Sequence, residues 1–169
     1  MPIRYEQLDS VTVANIDTLT SGGNADTLHS HGFGDGYSVV EPFIVSGENI
    51  TDGYVVAIDD SSGAKLFLAD ANGAGELINP IGLADGTTTT GEQVNVVTSG
   101  GKDTADDVWE AIPALTDIGK IAYMSETPGL LTLTAPSTPG SIVQKIGIVA
   151  NGGSGNVRLL VQIGDGVLL

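Results

Sequence analysis

Gly53-Tyr54-Val55-Val56-Ala57-Ile58 and Gly119-Lys120-Ile121-Ala122-Tyr123-Met124 open two stretches of this chain that follow the same plan. Each continues through a short apolar run, Leu66-Phe67-Leu68 or Leu131-Thr132-Leu133. Each then reaches a glycine inside a second run, Ile81-Gly82-Leu83-Ala84 or Ile146-Gly147-Ile148-Val149. The glycines set the register. Gly53 to Gly82 is 29 positions and Gly119 to Gly147 is 28, while Gly82 to Gly100 is 18 and Gly147 to Gly164 is 17. A period this long and this regular marks one supersecondary unit used twice, over residues 53–100 and 119–164.

The runs have strand length and are rich in β-branched residues, and turn formers separate them. Expected strands are Tyr37–Val45, Tyr54–Ile58, Lys65–Ala69, Ile78–Ala84 and Gln93–Thr98, then Lys120–Met124, Leu130–Thr134, Ile142–Ala150 and Val157–Ile163. Asp59-Asp60-Ser61-Ser62-Gly63, Asp85-Gly86-Thr87 and Asn151-Gly152-Gly153-Ser154-Gly155-Asn156 read as turns and loops. The expected fold is therefore all-β. Two copies of a small β unit can close a barrel or pair as a sandwich, and either hides strand edges. Between the copies, Thr104-Ala105-Asp106-Asp107 has the spacing of a capping box before a short helix that Pro113 would end. A strand with Val108, Glu110 and Ile112 on one side fits the same residues. Trp109, the single tryptophan, is expected to be a core or interface anchor.

Residues 1–36 differ from the rest: polar, rich in Asp, Thr, Ser and Gly, and short of apolar runs. They are expected to form an extended arm that becomes ordered along a neighbouring subunit, with the compact domain spanning 37–169.

Charge and composition restrict function. With 21 acids against 6 bases the formal charge is −15, which repels nucleic acid phosphate and anionic membranes. Neither nucleic acid nor a membrane is an expected partner. No run reaches the length of a membrane span, and Met1-Pro2-Ile3-Arg4-Tyr5 lacks the apolar core of a signal peptide, so synthesis and assembly in a cytosol are expected. The absence of cysteine excludes disulfides and thiol chemistry.

Gly129-Leu130-Leu131-Thr132-Leu133-Thr134-Ala135-Pro136 followed by Ser141-Ile142-Val143-Gln144-Lys145-Ile146-Gly147-Ile148-Val149 resembles a module of tailed-bacteriophage virion proteins, found in head decoration proteins and fibres. Asn24-Ala25-Asp26-Thr27-Leu28-His29 resembles a short element of phage tail fibres. The resemblance implies a homotrimeric virion structural protein with no enzymatic role or cofactor. The expected function is capsid decoration (cement): binding the major capsid protein on the outside of the head and stabilising it. The alternative is a head or tail fibre that binds a host-surface glycan, which the scarcity of aromatic residues disfavours.

Candidate sites are few. His29 and His31 form a His-x-His pair, and in an extended segment both imidazoles point the same way. On a three-fold axis three such pairs would supply six nitrogen ligands, similar to the iron sites of some phage fibre tips. Two solvated loop histidines are the commoner outcome. Asp70-Ala71-Asn72-Gly73-Ala74-Gly75 matches the opening of a calcium loop, yet Ile81 stands where its bidentate Glu belongs, so an ordinary turn is expected. Asp59-Asp60 and Asp106-Asp107 read as solvated surface acids. Ser99-Gly100-Gly101-Lys102-Asp103 lacks the full phosphate-loop pattern, and no Gly-x-Ser-x-Gly elbow occurs.

Overall fold

A computed structural model of the 169-residue chain describes residues 39–42, 45–60, 63–73, 75–154 and 156–169. The proposed arm and its histidine pair lie outside them. The fold is all-β: one antiparallel sheet curled into a half-barrel, with no α-helix among the described residues. Its strands are β1 (Val39–Pro42), β2 (Val55–Asp59), β3 (Lys65–Leu68), β4 (Pro80–Asp85), β5 (Asn95–Asp103), β6 (Ile121–Met124), β7 (Leu131–Thr132), β8 (Ile142–Gly153), β9 (Asn156–Gln162) and β10 (Gly166–Leu168). The sheet order is β3-β2-β4-β5-β9-β8-β6-β7, with β1 also on β5 and β10 also on β8.

That order is the duplication made visible, since β3-β2-β4-β5 and β7-β6-β8-β9 are one topology read from opposite edges. The copies agree in detail. In the first, Val56 pairs with Gly82 and Ala57 with Pro80, so Ile81 is bulged out of register. In the second, Ala122 pairs with Gly147 and Tyr123 with Lys145, and Ile146 is the bulged residue. The two glycines also share a cause. A Cβ on Gly82 would collide with the carbonyl oxygen of Val97, and one on Gly147 with that of Leu160, because the neighbouring strand passes too close for any side chain. Gly53 and Gly119 both hold positive φ (85° and 90°), and their N–H groups donate to the corresponding carbonyls of Ala84 and Val149.

The copies also share a feature that the sequence did not display. Ser46 bridges Leu66 in parallel, and Trp109 bridges the corresponding Leu131 in parallel, so each unit is preceded by a segment lying along its outer strand. This pairing decides the region after Thr104. Asp106–Val108 is a single 3-10 turn with no side-chain cap, and neither the expected helix nor the alternative strand forms. The Thr104 hydroxyl accepts a hydrogen bond from the Trp109 indole N–H at 3.0 Å. One further correspondence shifts: strand pairing aligns Val97 with Leu160, which sets Gly100 against Ile163, one residue before Gly164.

Equivalent faces of the two copies have different surroundings. In the first unit, Val55, Ala57, Leu83 and Val97 face the main core, while Val56, Leu66, Ala84 and Val96 face a smaller cluster closed by Ile50 and Val94 from the loops. In the second unit it is the counterparts of that latter face, namely Ala122, Leu131, Val149 and Leu159, that enter the main core. The chain is therefore layered: loops, first unit, second unit. Beta5 makes this possible. Val97 points into the main core, and two strand positions later Ser99 should do the same. Instead Gly100 lies opposite the core residue Val161, with the pairing to β1 shifting between Ser99 and Val97 and with φ of +95° at Gly100. The alternation slips by one residue there, and the sheet turns its other face inward. Backbone bonds fasten the curl. The N–H groups of Val55, Ala71 and Ile142 donate to the carbonyls of Gly129, Ser125 and Ala71 at 2.8, 2.9 and 2.7 Å.

Candidate functional site

The layering leaves the outer face of the second unit open. Ile121, Ile148 and Leu160 form one cross-strand row, paired in succession across β6, β8 and β9. Their counterparts in the first unit are Val55, Leu83 and Val97, also one row, and these are 0%, 0% and 2% exposed. Ile121 is 40% exposed and Leu160 45%. The three positions are thus sealed in one copy, while in the other the outer two are open to solvent and Ile148 between them is half-buried. Two of the chain's bases border the open row. Lys145, opposite Tyr123, donates to the Gln162 side chain at 2.8 Å, and Arg158, opposite Ala150, pairs with Asp103 at 3.1 Å. Immediately before β6, Ile112, Leu115 and Ile118 are exposed as well.

Two hollows lie in the second half of the chain. One, of about 180 Å³, is lined by Glu110, Glu126, Thr132 and the Thr134-Ala135-Pro136-Ser137 stretch. Both of its carboxylates are engaged. Glu110 accepts from the Ser125 and Thr127 hydroxyls, and Glu126 accepts from the Thr138 hydroxyl at 2.8 Å and the Thr138 N–H at 3.2 Å. The Thr138 hydroxyl holds the Glu126 carboxyl below the usual range. Through these bonds the two carboxylates tie the Ser125–Thr127 and Thr138 turns together. The other hollow, of about 250 Å³, has Trp109, Ile112, Pro113 and Leu115 as its apolar wall, with Asp106 and Asn156 also lining it.

The remaining sequence candidates are placed as follows. Asp70 makes a turn, accepting from the Asn72 N–H through its side chain at 3.0 Å and from the Gly73 N–H through its carbonyl at 3.1 Å. Asp106 and Asp107 are exposed in the 3-10 turn, and Asp59 lies in β2 opposite Lys65. Ser99 to Asp103 is strand, not loop. Its Lys102, 12% exposed, bridges Asp52 and Asp85 at 2.7 Å each. Burial opposes the charge on Lys102, but the two carboxylates outweigh it and raise its pKa. Among the described residues no group of three or more His, Asp or Glu side chains is placed to hold a metal ion. The open row escaped the sequence reading because its residues look the same as the buried ones; only the bulge before Gly100 distinguishes them.

Comparison with known protein families, characterised proteins and solved structures finds no match for this chain.

Proposed function

We propose that this chain is a structural, non-catalytic module of a larger assembly, and specifically a phage decoration protein that binds the outer surface of the head as a homotrimer. The observation that carries the reading is the open row Ile121, Ile148 and Leu160 at positions whose counterparts are core. A contiguous exposed apolar face bordered by polar residues is the usual mark of a protein contact. Lys145 beside it, and Arg158 in its ion pair with Asp103, place basic groups on that face of a chain of net charge −15. The row and its flanking Lys145 and Arg158 face the capsid, and most of the acidic surface faces solvent. By binding only the assembled shell, such a protein stabilises that shell by mass action. The likeness of the Thr134-Ala135-Pro136 to Gly147 stretch to phage virion modules supports the same reading.

The test is direct. Capsids mixed with the wild-type chain should carry many copies and resist heating, while an Ile121→Asp, Leu160→Asp chain, folded by circular dichroism, should fail to bind. Virions lacking the protein should open at lower temperature yet still adsorb to cells. Loss of adsorption with unchanged head stability would replace decoration by the fibre reading.

A further inference from the structure

The hollow beside Trp109 lies apart from the open row and has the core residue Trp109 as its floor. At about 250 Å³ it falls below the usual size of a cofactor or drug site, roughly 300–1,000 Å³, and suits an apolar side chain or two. Its floor is stiff. Trp109 is only 6% exposed, it is tied by the bridge to Leu131, and its indole N–H is already committed to Thr104. An occupant therefore meets a ring surface with no donor to offer, which favours an apolar guest. The walls, by contrast, stand open to water, with Ile112 at 61% and Leu115 at 50% exposure. Buried aromatic floors flanked by exposed apolar walls are where binding energy concentrates in protein interfaces.

The charge around the hollow selects the guest. Asp106 lines it, and Asp107, exposed, follows Asp106 in the same 3-10 turn. We propose that this hollow docks an apolar side chain on a partner protein segment whose flanks carry Lys or Arg. A second copy of this chain is the wrong occupant on the same ground. Its exposed Val167 and Leu168 follow Asp165, and docking them here would bring that acid to Asp106. The proposal stands on the hollow alone and survives if capsid decoration fails, because the two use different residues.

Trp109 is the only tryptophan, so its fluorescence reports on the pocket directly. The probe is a tryptophan-free peptide with Leu-Phe-Leu between paired lysines, titrated into the full chain. Its binding should shift Trp109 emission saturably to shorter wavelength. Leu115→Ser should abolish the shift, and Asp106→Asn with Asp107→Asn should weaken binding roughly fivefold, as expected for two exposed charges. Asp60→Asn with Asp165→Asn, removing equal charge elsewhere, should leave it unchanged. Unaltered urea midpoints establish that each variant is folded. Equal binding of a peptide with serines in place of Leu-Phe-Leu, or of one with glutamates in place of lysines, overturns the proposal. So does full binding by the Leu115→Ser chain, no saturable shift at all, or an emission shift that follows protein concentration without peptide, which would make a second copy the occupant.

Discussion

Leu83 and Leu160 offer the same deletion in corresponding rows of the two copies, and they should respond very differently. Leu83 is fully buried, between Val55 and Val97. Leu83→Ala removes about 2 kcal/mol of transfer free energy at about 0.8 kcal/mol per buried methylene, and the cavity left behind raises the cost to about 3–4 kcal/mol. Leu160 is 45% exposed, so about half of that transfer term is already absent and no closed cavity forms. Leu160→Ala should cost about 1 kcal/mol or less. Urea unfolding at concentrations where the chain is monomeric measures both, with unchanged m-values establishing that only stability moved. Where the chain is assembled through the open row, the Leu160 cost should grow with protein concentration while the Leu83 cost stays constant. Equal losses at both positions in the monomer would refute the layering, since the Leu160 row would then have to be covered within one chain.

The remaining predictions concern backbone contact and charge. Gly82→Ala and Gly147→Ala should each destabilise by about 2–4 kcal/mol, because both push a Cβ into the carbonyl of the next strand; a loss under about 1 kcal/mol at either in thermal unfolding would contradict the close approach. Lys102→Met should cost roughly 1–2 kcal/mol after allowance for the partial exposure of Asp52 and Asp85 (44% and 39%). Because the pKa of Lys102 is raised in the fold, its stabilisation is fully present below the ordinary value of 10.5 and disappears as pH climbs through the raised value. The difference between wild type and Lys102→Met in urea should therefore be flat from neutral pH to about 10 and shrink above it; a difference that shrinks toward acid pH between 7 and 9 would contradict the sign.

Much of this molecule was present in the amino-acid sequence. The glycine spacing, the apolar runs and the turn residues between them specify two copies of one antiparallel unit, because strand length, bulge and close approach are local properties of Gly82, Gly147 and their neighbours. Position Thr104 to Pro113 was less legible. Its capping-box spacing is a local preference, and the long-range bridge between Trp109 and Leu131 outweighed it. The burial of each face was not written locally at all. Val55-Val56-Ala57-Ile58 and Ile146-Gly147-Ile148-Val149 carry apolar side chains on both sides of the strand, so alternation identifies two candidate faces and prefers neither. The choice belongs to tertiary structure: a one-residue slip before Gly100 turns opposite faces of the two copies toward one core, and the loops bearing Ile50 and Val94 cover the first copy's other face, leaving Ile121 and Leu160 in water.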